Sequence, residues 1–288
     1  MPVVTLIAAP GGLVPSRLND LRAAWSGGPL RWLAPQEAAE FEVESEPAHL
    51  WTVWEECQRQ GIDLLFQPAA NRRKKMLLAD MDSTMIQQEC IDELAVVAGV
   101  GDRVASITAR AMNGEIGFEG ALRERVALLK DLPETVIAHV LRDRITFMPG
   151  GRELLATMKA HGAHAVLVSG GFLSFARPVA EALGFDEARA NTLLVADGKL
   201  TGEVAEPILG REAKVATLEE VSQRLGLAPQ DVLAVGDGAN DLGMLRLAGT
   251  GVALHAKPAV QAECRLRVNH GDLSALLYLQ GYAREEFA

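Results

Sequence analysis

Three short apolar runs constrain this chain more than any other feature: MLLAD at 76–80, HAVLVSGG at 164–171 and DVLAVGDG at 231–238. Each is apolar throughout rather than alternating, and each ends in Asp, Ser or Gly. Strands covered by helices on both faces of a parallel sheet read this way. Helical spacing fills the intervals, so the pattern predicts an open α/β fold. In such folds ligands bind beyond the carboxyl ends of the strands, and all three runs deliver their polar residues to that edge. Between the first and second runs, residues 87 to about 147 carry amphipathic segments (CIDELAVVAG, VASITARAMNG, FEGALRERVALLKDL) and no convincing strand, which reads as a helical cap inserted over the site.

All four tryptophans (Trp25, Trp32, Trp51, Trp54) precede residue 55, and Arg72, Arg73, Lys74 and Lys75 stand just before the first run. These features place a domain boundary near residue 72, dividing the chain into 1–72 and 73–288. Four charges without interleaved aromatics read as a solvated linker, not a nucleic-acid site. Upstream, VVTLIAA and IDLLFQP read as strands, SRLNDLRAAW and PAHLWTVWEECQRQG as helices, and LRWLAP to FEVES as two further strands. The result is a small α+β unit of βαββαβ order.

With 28 basic and 38 acidic residues the net charge is −10, which disfavours nucleic acid and anionic membrane as partners. An anionic substrate then requires locally concentrated positive charge. Cys57, Cys90 and Cys264 are odd in number and lie in no metal-ligand spacing, as expected of buried thiols in a reducing compartment. No apolar run approaches the roughly 18 residues of a membrane span, and the N-terminus lacks a basic leader, so a cytoplasmic location is expected. A homodimer is left open.

Asp80 and Asp82 sit two positions apart at a strand end, where both side chains point to one side. Their repulsion requires a positive partner. A divalent cation is the obvious one, and Mg²⁺ suits a few oxygens plus retained waters. An EF-hand loop is excluded, because Met85 stands where glycine is required and Ile91 where the bidentate glutamate belongs. An Asp-Ser-Thr helix cap is the plainer alternative for the same stretch. GDGANDLGML adds Asp237, Asn240 and Asp241 on a second strand end, and Asp241 occupies the position where a dinucleotide fingerprint needs glycine. Ser169, Gly170 and Gly171 offer a hydroxyl and a pliable backbone for phosphate oxygens. They form no nucleophile elbow, since Leu167 replaces its first glycine. Lys214 opens a further helical segment.

The order acidic pair, helical insertion, Ser-Gly-Gly, lysine, Gly-Asp-Gly-x-Asn-Asp resembles the haloacid dehalogenase (HAD) superfamily over roughly residues 76 to 278. DMDST with QQECIDELA, GFEGALRERVALLKDLP, VSGGF and VGDGANDLGM together resemble its phosphoserine-hydrolysing branch. The resemblance implies a Rossmann-like parallel sheet with a cap, Mg²⁺ as cofactor, and hydrolysis of O-phospho-L-serine in serine biosynthesis. It implies that Asp80 attacks phosphorus and that Asp82 protonates the leaving oxygen, then deprotonates water. By the same resemblance Asp80, the Asp82 backbone carbonyl and Asp237 hold the metal, while Ser169, the Gly170 amide and Lys214 neutralise phosphate oxygens. Asn240 orients phosphate or water, Asp241 supports the metal shell and Lys214, Glu89 and Arg125 take the substrate's ammonium and carboxylate, and Met112 and Phe118 line the cap. The N-terminal unit resembles a ferredoxin-like ACT domain, although APGGL at 9–13 keeps only the Pro-Gly of that family's loop.

A dehalogenase needs no acid for its leaving group, yet Asp82 is present. A phosphotransferase passing phosphoryl from Asp80 to an acceptor such as homoserine is open. A non-catalytic amino-acid sensor is disfavoured by the required residue at every catalytic position.

Overall fold

The computed structural model describes residues 1–112 and 115–288; the Met112 side chain, expected in the cap lining, lies outside the described residues. The chain opens with β1 (Pro2–Ala8), α1 (Pro15–Ala24), β2 (Arg31–Ala34), β3 (Ala38–Glu42), α2 (Leu50–Arg59) and β4 (Ile62–Pro68). These strands form an antiparallel sheet of order β2-β3-β1-β4. Its period-two pattern turns Val4 and Leu6, Ala39 and Phe41, and Ile62 and Leu64 into one core, which Leu18 of α1 and Leu50 and Cys57 of α2 close.

There follow β5 (Met76–Ala79), the cap helices α3 (Cys90–Val97), α4 (Gly101–Met112), α5 (Phe118–Ala127) and α6 (Thr135–Asp143), then α7 (Gly151–Ala160), β6 (His164–Phe172), α8 (Leu173–Leu183) and β7 (Glu187–Asn191). A hairpin of β8 (Leu193–Ala196) and β9 (Lys199–Val204) leads to α9 (Arg211–Leu225), β10 (Val232–Gly236), α10 (Leu242–Leu247), β11 (Thr250–Leu254), α11 (Pro258–Glu263), β12 (Leu266–Val268) and α12 (Ala275–Leu279).

The chain divides into two compact units: Met1–Leu78 with Pro149–Ala165 and Leu218–Ala288, and Ala79–Met148 with Val166–Thr217. In the first unit β10, β11 and β12 pair in parallel, with Val235 opposite Val252 and Val252 opposite Leu266. The Lys75 amide donates to the Asp231 carbonyl and the His164 amide to the Lys75 carbonyl, so β5 enters between the starts of β10 and β6. Every residue of β5 and β10 is buried, as their unbroken apolar runs require.

The second unit holds the cap. Cys90, Ile91, Leu94 and Ala95 make the buried stripe of α3, and Asp92 and Glu93 in its first turn complement the helix dipole. The cap's two connecting segments are stitched together. The Gln87 amide donates to Thr146 O (3.0 Å) and the Met148 amide to Met85 O (2.9 Å), while Gln88 and Thr146 exchange two further hydrogen bonds. β6 and β7 pair in parallel, and their register breaks between Val168 and Phe172, where Ser169, Gly170 and Gly171 lie.

Arg72–Lys75 is not the solvated linker expected. Arg72 forms a fork of hydrogen bonds to buried Glu40 (2.6 and 3.2 Å), and the Arg73 guanidinium sits 3.9 Å from the Tyr282 ring centroid. Buried Lys74 donates to Gln230 O at 2.8 Å, and Lys75 pairs with Asp231 at 3.4 Å. A buried carboxylate demands donors, and the basic run supplies one in Arg72.

Candidate active site

β5 delivers Asp80 at its carboxyl end. The chain then turns on the Met81 carbonyl, which accepts the amides of Thr84, Met85 and Ile86. Asp80 is buried, and its Oδ1 accepts a hydrogen bond from Lys214 Nζ at 2.5 Å. Lys214, in the first turn of α9, is only 1% exposed, so this is an ion pair held out of water; neither charge could stay there without the other or an equivalent ion.

Asp82 has different partners. Its Oδ1 accepts the Cys90 amide at 2.8 Å and its Oδ2 the Ser169 hydroxyl at 3.1 Å. Burial pushes this carboxyl above the usual carboxylate range, against the opposing pull of the Cys90 amide and thiol, the Ser169 hydroxyl and the Lys214 charge. Two carboxylates two residues apart are thus held in unlike surroundings.

The Ser169 hydroxyl also accepts the Gly171 amide at 2.8 Å. Asn191, which the sequence reading did not single out, braces this turn. Its amide nitrogen donates to Gly170 O (2.9 Å) and Leu209 O (3.1 Å), and its Oδ1 accepts the Leu209 amide (2.7 Å). Both glycines sit close against side chains of the site. A Cβ on Gly171 would lie 2.7 Å from Asp82 Oδ2, and one on Gly170 would lie 3.2 Å from the ring of the cap residue Phe118.

Cap residues Glu89 and Arg125 fall within the same unit. Glu89 caps α3, exposed, and its Oε1 accepts the Ser83 hydroxyl at 2.8 Å, with Ser83 in the left-handed region at φ 56°. Arg125, half-buried on α5, donates Nε–H to Ala121 O at 3.2 Å. Burial lowers its pKa, while Asp92, Glu89 and Asp82 push it back up. Asp92 is a carboxylate the sequence reading passed over.

The remaining expected residues belong to the other unit. β10 delivers buried Asp237, whose backbone carbonyl accepts the Lys257 amide at 3.3 Å. Asp241, fully buried, accepts the Gly238 amide on Oδ2 at 2.9 Å. Asn240 is half-buried. A Cβ on Gly236 would meet the Asp241 carboxyl at 2.4 Å, and one on Gly238 would meet Asn240 Oδ1 at 2.3 Å, which explains the glycines of GDGAND. Asp80, Asp237 and Asp241 are buried carboxylates, each with an oxygen able to ligate a metal ion. Hard oxygen donors of this kind fit a divalent cation, and burying carboxylates calls for positive charge.

A parallel α/β sheet with carboxylates at its strand ends, a buried lysine and a glycine-braced serine defines a class of α/β hydrolases built around aspartate. The haloacid dehalogenase-like hydrolase model matches residues 77–246, and the chain belongs to that family. It is 44% identical over 208 residues to a phosphoserine phosphatase of Archaeoglobus fulgidus, a match covering 72% of this chain and 60% of that protein. The chain spans between 60% and 65% of the length of four such curated relatives. A HAD family hydrolase from Salmonella enterica serovar Typhi superposes with a TM-score of 0.88 at 29% identity, covering 96% of this chain and 97% of that one. A phosphoserine phosphatase solved as an analogue of its phospho-aspartyl intermediate superposes at 0.67 with 42% identity, covering 72% of this chain and 98% of that one.

Proposed function

We propose that the chain hydrolyses O-phospho-L-serine to L-serine and phosphate in two steps. The observation that carries this reading is the unlike pairing of the two carboxylates, Asp80 with the Lys214 ammonium and Asp82 with the Cys90 amide and Ser169 hydroxyl. An ionised carboxylate beside a cation suits a nucleophile, and a carboxyl pushed towards its protonated form suits a general acid. The names of its relatives support the same substrate.

In the first step an Asp80 carboxylate oxygen forms a bond to phosphorus. The bond from phosphorus to the seryl oxygen breaks with its electron pair going to that oxygen, which takes the Asp82 proton. In the second, Asp82 accepts a proton from water, the water oxygen bonds to phosphorus, and the Asp80–phosphorus bond breaks to release phosphate. Lys214, the Ser169 hydroxyl and the Gly170 amide face the transferred oxygens, and Asn240 orients them. Asp80, the Asp82 carbonyl and Asp237 hold Mg²⁺, with Asp241 in support; when bound, the ion screens the charge gathered on the phosphoryl group. Arg125 takes the substrate carboxylate and Glu89 its ammonium. Phosphate release from a panel of phosphorylated amino acids, with and without Mg²⁺, tests the reading. Turnover of phosphoserine only with the metal is expected; turnover of another phosphorylated amino acid in preference to it overturns the substrate assignment.

A further inference from the structure

We propose that Cys90 is a positioning residue for Asp82, holding Oδ1 so that Oδ2, the oxygen beside Ser169, exchanges the proton with the leaving alkoxide. The inference rests on the reading of Asp82 as proton donor. Cys90 is the first residue of α3, and its amide lies 2.8 Å from Asp82 Oδ1. Its thiol also hydrogen-bonds the Asp82 carboxyl. The residue is 1% exposed, and Ile91, Leu94 and Ala95 of the same helix are buried with it, so this donor pair is fixed by the packing of the whole first turn. An N–H aimed at one carboxyl oxygen reserves that oxygen as an acceptor, and a proton placed there would oppose it. The acid proton then resides on Oδ2. Its only described hydrogen-bond neighbour is the Ser169 hydroxyl, which can rotate from donor to acceptor while keeping the Gly171 amide as its own donor.

Proton delivery matters for an alkoxide leaving group and hardly at all for an aryl phosphate whose phenolate leaves unaided. A positioning role therefore separates the two substrates, whereas a packing role does not. The test compares kcat/KM for phosphoserine and p-nitrophenyl phosphate, which reports each substrate up to phosphoryl transfer, in three variants of the full chain. Cys90→Ser keeps a side-chain donor and is expected within about twofold of the parent on phosphoserine, while Cys90→Ala loses about fivefold. Cys90→Pro removes the amide donor as well. Proline is tolerated at a first helical position, and Glu89 before it is extended (φ −95°, ψ 114°), as a residue preceding proline must be. A loss of about 50-fold on phosphoserine is expected there. On p-nitrophenyl phosphate every variant should stay within about twofold. Equal losses on both substrates, or no loss on phosphoserine in Cys90→Ala, overturn the inference, and the Ser and Ala pair decides the matter if the Pro variant does not fold. If the parent chain releases no phosphate from phosphoserine, the reading beneath falls and takes the inference with it; parent turnover with uniform losses removes the inference alone.

Discussion

Asp80 and Asp82 are the same residue type two positions apart, and what separates them is who donates to each. On the proposed reading Asp80→Asn removes the attacking oxygen, and phosphate release should fall by at least about a thousandfold. The assay needs fresh protein checked by mass spectrometry for deamidation back to Asp. Undiminished turnover would remove Asp80 from the mechanism. Asp82→Asn should still be phosphorylated by p-nitrophenyl phosphate yet stall afterwards, giving a burst of one nitrophenolate per chain; steady release at the parent rate would contradict this. At this scale the sequence was informative where a residue's chemistry is rare in its setting. An acidic pair ending an apolar run has few explanations, so Asp80 and Asp82 stood out. Cys90 and Asn191 did not, because one acts in part through a backbone amide and the other braces a loop, and neither role leaves a mark in spacing. Glu89 and Arg125 were reached only through family resemblance, since an isolated helix charge looks like any other.

Among elements, the carboxyl end of β6 is crowded against the Asp82 carboxyl. A methyl group on Gly171 would come 2.7 Å from Asp82 Oδ2 and 3.0 Å from Ser169 Oγ. Gly171→Ala is therefore expected to lower kcat on phosphoserine by about tenfold or more, with little change in melting temperature, because the contact is with a side chain that can move at the expense of its position. An unchanged kcat would show that Asp82 tolerates displacement. In the second half of the chain β5, β6 and β10 were legible because each is a uniform apolar run ending in Asp, Ser or Gly, and upstream β1 and β4 were legible in the same way as apolar stretches. β7 and β9 (EARAN, KLTGEV) were missed because they are mixed in polarity and in part exposed, and β8 (LLVA) because its apolar residues are mostly exposed in a hairpin, where the burial that an apolar run implies does not occur. β11 (TGVAL) opens on threonine and glycine, and β12 (LRV) is three residues with an arginine at its centre, so neither shows as a continuous apolar run.

At the scale of the molecule, the N-terminal elements are tied to the end of the chain by polar contacts the sequence did not disclose. Asp63 of β4 is fully buried, and its carboxylate accepts the amides of Asn269 (2.8 Å), His270 (3.1 Å) and Gly271 (2.7 Å) in the segment after β12. The Gln67 amide donates to Leu279 O at 2.6 Å and the Tyr278 hydroxyl to Glu37 at 2.8 Å. Contacts this far apart in sequence carry no local signature, and neither do those of Arg72–Lys75 with Glu40, Gln230, Asp231 and Tyr282, which is why that run looked like a solvated linker. Asp63→Ala should leave three amides without acceptors and cost about 3 kcal/mol or more of unfolding free energy, read as a lowered midpoint in denaturant. An unchanged midpoint would mean that water replaces the carboxylate at no cost. Among the described residues no helix is long and apolar enough to cross a membrane.

The claim on which the account turns is that phosphate passes through Asp80. Acid-quenching the full chain within its first turnovers of phosphoserine in Mg²⁺, then mapping the phosphorylated peptide, tests it most directly. One hydroxylamine-sensitive phosphoryl group is expected on Asp80, absent from Asp80→Asn. A phosphoryl group on any other residue, or nitrophenolate release from p-nitrophenyl phosphate by Asp82→Asn with no phosphorylated protein, would contradict it.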